Sequence, residues 1–141
     1  MSRLKLTRMQ NGVMNDVPMI VLDTNVVLDW LVFREPGCTP LAQAITSGQL
    51  RWRASAWMRA ELAHVAGRGL GERWPVDLNA LNESWLRWAV EVSAPEAMPP
   101  AQQLRCTDPQ DQPFIDLALN IQARWLISRD RALLRLARRA A

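Results

Sequence analysis

The chain has 141 residues, of which 49% are hydrophobic and 22% are charged. This composition is typical of one globular domain with a sizeable core, and it excludes a disordered chain. No apolar run approaches the roughly 20 residues that cross a bilayer, and polar residues follow the basic N-terminus where a signal peptide would be apolar. We therefore expect a cytoplasmic protein whose two cysteines, Cys38 and Cys106, are reduced and partly buried.

The net charge of +3 is carried almost wholly by arginine, whose planar side chain suits phosphate. The arginines form two groups along the chain: Arg51, Arg53 and Arg59, and then Arg124, Arg129, Arg131, Arg135, Arg138 and Arg139. Each group, taken alone, is better explained by a solvated helix face. The charge therefore permits a nucleic acid partner without establishing one.

In the first half of the chain, residues 1–18 are polar and lack periodicity, which predicts a flexible tail ahead of a domain over residues 19–141. The apolar run 19–22, which ends at Asp23, predicts a strand buried on both faces of a parallel sheet. Helices are predicted over residues 25–33 and 40–47, with Gly48 as the cap of the second. A strand over residues 50–54 and a helix that Ser55 caps and that runs to residue 66 follow.

In the second half, a helix is predicted over residues 76–88 and a short strand over 90–92, before a proline-rich stretch. A helix over residues 114–122, a strand over 125–128 and a closing helix over 131–139 complete the pattern. Strands that alternate with helices predict a three-layer α/β/α sandwich around a central parallel sheet. Five tryptophans fit apolar faces and are expected in the core, namely Trp30, Trp57, Trp85, Trp88 and Trp125; Trp52 and Trp74 are less certain.

Acidic residues gather where such a sheet binds ligands, beyond the carboxyl ends of its strands. Asp23 directly follows the first strand, and Asp130 stands two residues after the last one. Asp108 and Asp111 open the helix that leads into the last strand. Each also has a structural explanation, because Asp111 and Asp130 could cap helices and Asp108 could begin a turn.

Glu61 is harder to explain structurally. On a helical wheel it falls between Trp57 and Val65, within the apolar stripe of its helix. A carboxylate directed toward a core is costly unless it is paired or binds a cation, so a salt bridge to an arginine is the alternative to a metal. Asp29 interrupts an apolar run in the same way and is a weaker candidate.

Several carboxylates at one place repel one another, and a divalent cation removes that conflict. Hard oxygen ligands select Mg²⁺ or Mn²⁺, whereas a single histidine, His64, and two dispersed cysteines argue against zinc. The chemistry that fits such a site is hydrolysis of phosphodiester bonds, in which metal ions activate water and stabilise charge on the phosphoryl oxygens.

Three segments resemble the PIN-domain family. In residues 19–25, Asp23 is followed after one residue by Asn25, and residues 108–118 and 125–130 are similar to the C-terminal half of that family. The likeness covers about residues 19–138 and extends to the group of toxin components of toxin–antitoxin systems. It implies a metal-dependent endoribonuclease that acts on RNA, with an antitoxin and a second copy of the chain as partners.

The resemblance also implies roles for individual residues. Four acids would be the catalytic metal ligands: Asp23, Glu61, Asp111 and Asp130. Three residues would support them: Asn25, which would orient Asp23, Ser128, and Asp108, which would assist or replace Asp111. Three arginines would contact RNA: Arg59, Arg129 and Arg131. Gln112 departs from the family, since many relatives carry another acid there.

The alternative function is an inert RNA-binding or partner-binding module of the same fold. A haloacid-type phosphatase would need an aspartate where Asn25 stands, and a receiver domain would need a late lysine, whereas Lys5 is the only lysine of the chain. Both are therefore disfavoured.

Overall fold

The structure, a computed structural model, describes residues 5–8, 17–69, 76–93 and 112–129. Several predictions lie outside these residues. They concern Trp74, Cys106, Asp108, Asp111, Asp130, Arg131 and the closing helix over residues 131–139.

A five-stranded sheet forms the centre of the protein, in the order β1-β5-β2-β3-β4. Its strands are β1 (Lys5–Arg8), β2 (Met19–Leu22), β3 (Arg51–Ala54), β4 (Ala89–Glu91) and β5 (Trp125–Ser128). Strands β2 to β5 are mutually parallel, and β1 is antiparallel to β5. Parallel strands need crossover helices, so the predicted α/β/α architecture with a central parallel sheet is confirmed.

In the part of the chain that the structure describes, five helices connect the strands: α1 (Thr24–Leu31), α2 (Thr39–Thr46), α3 (Ala56–Gly67), α4 (Leu78–Trp88) and α5 (Gln112–Asn120). A 3₁₀ turn at Pro36–Cys38 precedes α2. The predicted helices that fall within the described residues are present, with ends shifted by a few residues. Gly48 follows α2 at a φ of +82°, which confirms its predicted role as the cap, because glycine adopts this conformation without a steric cost. Among the described helices, none is long and apolar enough to cross a membrane.

The expectation that residues 1–18 form a flexible tail is wrong for Lys5–Arg8, which pair with β5 as an edge strand. The backbone groups on the outer edge of β5 need partners, and four residues of an otherwise polar segment supply them. Such pairing depends on the tertiary structure, so a segment this short gives no periodic signal of its own.

The core lies between the sheet and the helices and has Trp52 of β3 near its centre, with 1% of its surface exposed. The rings of Trp30 and Trp85 lie 5.6 Å and 4.8 Å from that of Trp52. Because these rings come from α1 and α4, both helices cover the same face of β3. Trp57 departs from the prediction, since it is 42% exposed and packs edge-on against Phe114 at 5.8 Å.

Candidate active site

The candidate site lies at the carboxyl ends of β2 and β5, which are neighbours in the sheet. From β2 the chain proceeds outward to β3 and β4 and then returns to the other side of β2 as β5. Strands β3 and β5 therefore lie on opposite sides of β2, and ligands bind open α/β sheets where the strand order reverses in this way. Asp23 follows β2 here, and Ser128 ends β5.

Asp23 is buried, with 5% of its surface exposed, and both oxygens of its carboxylate accept hydrogen bonds. The backbone N–H of Val26 donates to Oδ1 at 2.9 Å, so Asp23 caps the N-terminus of α1. The hydroxyl of Ser128 donates to Oδ2. The backbone N–H of Asp23 also donates to the carbonyl of Ile127 at 3.1 Å, which ties the end of β2 to β5. The carboxylate is therefore held in one orientation.

Glu61 is brought to the same edge by a hydrogen bond with the residue that follows Asp23. The hydroxyl of Thr24 donates to Oε2 of Glu61 at 2.7 Å, which joins the first turn of α1 to the middle of α3. Glu61 is half-buried beside the buried stripe formed by Met58 and Leu62. The structure thus brings the carboxylates of Asp23 and Glu61 to one end of the sheet. Among the described residues, no arginine forms a salt bridge with Glu61, which was the structural alternative to a metal.

Asp29 and Arg129 form an ion pair close to this edge. The guanidinium Nε of Arg129 lies 3.0 Å from Oδ2 of Asp29, whose side chain is 8% exposed. Burial raises the pKa of Asp29, Arg129 opposes this shift, and the nearby carboxylate of Glu35 adds to it. Arg129, which was predicted to contact RNA, is thus engaged with a carboxylate of its own chain.

Cys38 lies near the same pair, on the 3₁₀ turn. Burial, with the carboxylates of Asp29 and Glu35, raises the pKa of this thiol to about 11. The thiol is free and 2% exposed, which confirms the expectation of a reduced, buried cysteine at this position. A thiol that stays protonated at neutral pH is a poor nucleophile, so the burial of Cys38 favours a role in packing.

Arg59, the other described arginine that was predicted to contact RNA, also forms an ion pair. Its Nε lies 2.6 Å from Oε1 of Glu91, at the end of β4, and the same oxygen accepts a hydrogen bond from the indole of Trp85 at 3.1 Å. The side chain of Arg59 is 41% exposed. A guanidinium carries N–H donors besides Nε, so this contact with Glu91 does not use all of them.

One supporting residue differs from its predicted role, and one contact at the site was not predicted. Asn25, predicted to orient Asp23, is exposed on the first turn of α1, whereas Val26 and Ser128 donate to that carboxylate. Thr24, which sequence reasoning did not single out, anchors Glu61. The sequence signal that could have indicated this role of Thr24 was its position next to Asp23. Gln112 donates to Asp116 on the next turn of α5 at 2.9 Å.

The donor set fits a hard divalent cation. Carboxylate oxygens such as those of Asp23 and Glu61 are the hard donors that Mg²⁺ and Mn²⁺ prefer. Within the described residues, no group of three or more His, Cys, Asp or Glu side chains is arranged to hold a metal ion. Asp23 and Glu61 are the two predicted ligands that the structure describes, and a full ligand set would need acids from outside that part of the chain.

The fold and this edge together define a nuclease-type α/β domain. The sequence model of the PIN domain matches residues 19–132, and the chain belongs to the PIN-domain family. PIN domains are generally nucleases and typically use divalent metal ions. No curated protein and no solved structure matches the chain.

Proposed function

We propose that this protein is a metal-dependent endoribonuclease that hydrolyses RNA phosphodiester bonds at the carboxyl edge of its sheet. The observation that carries the proposal is the buried carboxylate of Asp23, which is held through both oxygens. The next residue, Thr24, binds a second carboxylate, that of Glu61. Burying a carboxylate is costly, and capping a helix needs one oxygen alone. The hydrogen bond from Ser128 to the second oxygen goes beyond what a helix cap needs, which suits a carboxylate that is oriented to bind a cation.

Asp23 and Glu61 would hold Mg²⁺ or Mn²⁺, and Asp111 and Asp130 would complete the ligand set as the family resemblance implies. When bound, such an ion lowers the pKa of water and stabilises charge on the phosphoryl oxygens. Ser128 and Val26 keep the Asp23 carboxylate in place, and Thr24 does the same for Glu61. Groups that are oriented before substrate arrives need not reorganise during the reaction.

The substrate would be attracted by arginine. Arg59 keeps an exposed guanidinium near the end of β4, and Arg131 follows the predicted ligand Asp130 in the sequence. Contacts to phosphate position a nucleic acid without selecting its sequence. We therefore expect RNA binding that weakens steeply with salt.

A protein partner would bind the outer side of α4, in keeping with the role of a toxin that an antitoxin silences. Leu78 and Leu86 on this helix are 45% and 59% exposed. Exposed apolar side chains on one helix suit a second copy of the chain or an antitoxin. Sedimentation velocity of the wild type and of Leu86→Lys tests the first of these. A dimer that the substitution dissociates supports self-association through α4, and an unchanged monomer argues against it.

The nuclease is tested by cleavage of a labelled mixed RNA pool with Mg²⁺, Mn²⁺ or EDTA, beside the variant Asp23→Asn. Asp77→Asn is the matched control, because Asp77 also caps a helix by accepting a backbone N–H, from Ala80 at 3.1 Å, but is exposed. We expect metal-dependent cutting by the wild type and by Asp77→Asn, and none by Asp23→Asn. Equal activity in all three proteins would contradict the proposal. No cleavage together with no measurable metal binding would favour the inert binding module.

A further inference from the structure

The end of β5 is attached to α1 at two points. Ser128 donates to Asp23, the cap of α1, and the next residue, Arg129, is paired with Asp29 further along the same helix. Ser128 is the last residue of β5, and the backbone bends at Arg129. Neighbouring residues of a regular strand point to opposite faces, so the bend allows both side chains to engage α1.

Burial of the Asp29 carboxylate in the Asp29–Arg129 pair carries a desolvation cost. Asp29 is 6% exposed, while Arg129 keeps 32% of its side chain exposed. The described groups that act electrostatically on Asp29 are Arg129, which favours its charge, and Glu35, which opposes it. An apolar residue of similar size would often be as stable at a buried position, so stability alone is a poor reason for an ion pair here.

We propose that the Asp29–Arg129 ion pair is a positioning device for the metal site. It holds the bend after β5 so that Ser128 keeps its hydrogen bond to Asp23, and Asp23 in turn presents its carboxylate to the cation. This rests on the proposed function. Asp29 and Arg129 are positioning residues and need not touch the metal or RNA themselves.

A positioning role predicts a defined kinetic pattern. Loss of a group that orients a metal ligand typically costs 10-fold to 100-fold in metal affinity or activity. We expect Asp29→Asn to weaken Mn²⁺ binding and to lower kcat by about this factor. The KM for RNA should stay unchanged, because the RNA contacts are left in place.

The test is a double-mutant cycle of Asp29→Asn, Arg129→Gln and the double variant. Calorimetric titration with Mn²⁺ in the absence of RNA gives the metal affinity, and cleavage of a labelled RNA gives kcat and KM. Leu41→Ala serves as the control for stability, because Leu41 is a buried residue of α2 outside the site. All proteins are compared at a temperature where circular dichroism shows each of them folded.

The proposal is supported if both single variants lose Mn²⁺ affinity and kcat while Leu41→Ala binds Mn²⁺ normally. The double variant should then have the same Mn²⁺ affinity and kcat as the more impaired of the two single variants. Two residues that act as one unit give such non-additive losses. Wild-type affinity and kcat in Asp29→Asn would overturn it, as would independent, multiplying effects or an equal loss in Leu41→Ala. A raised KM in Arg129→Gln alone would make Arg129 an RNA contact instead. A wild-type protein that neither binds Mn²⁺ nor cuts RNA would remove the proposed function itself, and this inference with it.

Discussion

Two strand-to-helix junctions at the carboxyl edge of the sheet share one geometry and differ in chemistry. Asp23 joins β2 to α1 and Ser55 joins β3 to α3; each is buried, at 5% and 4% exposure, and each caps its helix. Asp23 accepts the N–H of Val26 at 2.9 Å, and Ser55 accepts that of Met58 at 3.3 Å. Capping is thus served equally by a hydroxyl and by a carboxylate.

The difference lies in what each side chain does besides capping. The hydroxyl of Ser55 is neutral, so its burial costs little once it is hydrogen-bonded. Asp23 has a second oxygen, and Ser128 is positioned to donate to it. A junction that needs only a cap does not require this oxygen or its partner. The hydrogen bond from Ser128 to Asp23, which helix capping does not require, therefore distinguishes the candidate site at Asp23 from the purely structural junction at Ser55.

The largest effect should come from Asp23→Ser, which gives the first junction the chemistry of the second. We expect the rate of RNA cleavage to fall about a thousandfold or more. Loss of a metal ligand removes several kcal/mol of transition-state stabilisation, and each loss of about 1.4 kcal/mol lowers the rate tenfold. The helix cap is retained, so the free energy of unfolding should change by less than about 1 kcal/mol. Cleavage assays and urea denaturation measure the two quantities. Substantial remaining cleavage would mean that Asp23 is a cap like Ser55.

A smaller effect should follow from Ser128→Ala, which removes the feature that the second junction lacks. The Asp23 carboxylate loses a donor, and we expect Mn²⁺ affinity and cleavage to fall about 10-fold to 100-fold. Ser128→Thr keeps the hydroxyl and should keep most of the activity. Calorimetric titration with Mn²⁺ is the decisive measurement. Equal behaviour of the two variants would show that the hydroxyl is not what matters at this position.

Thr24→Val extends the comparison to the second carboxylate. The substitution preserves shape and removes the hydroxyl that donates to Glu61 at 2.7 Å. The freed carboxylate loses its fixed orientation, and we expect cleavage to fall about 10-fold. Thr24→Ser, which keeps the donor, should restore most of the rate. Wild-type cleavage by Thr24→Val would show that Glu61 needs no anchor.

Local signals in the sequence predicted both junctions. The apolar run before Asp23 and the serine before a helical pattern are short-range features, so the ends of β2 and β3 and the cap at Ser55 follow from neighbouring residues. Glu61 was predicted within the apolar stripe of α3 in the same way, and it is half-buried beside that stripe. The stripe was misjudged at Trp57, because the buried spacing runs through Met58 and Leu62 instead.

Contacts between distant segments could not be predicted in this way. Ser128 and Asp23 are 105 residues apart, and Thr24 and Glu61 are 37 apart. Periodicity fixes which face of an element is apolar, but not which polar side chain of another element meets it. The pairing of Arg129 with Asp29 and the edge strand Lys5–Arg8 depend on the same long-range geometry.

The smallest effect should come from Ser55→Ala, which tests the structural member of the pair. Loss of the hydroxyl leaves the N–H of Met58 without its cap, and we expect the free energy of unfolding to fall by about 1 kcal/mol. Metal affinity and kcat should not change, because α3 still carries Glu61 to the bond with Thr24. Urea denaturation and Mn²⁺ titration on the same samples separate stability from metal binding. If Ser55→Ala instead weakened Mn²⁺ binding as much as Ser128→Ala, the start of α3 would itself position Glu61. The junctions at Asp23 and Ser55 would then both belong to the metal site, and Ser55 would not be a purely structural cap.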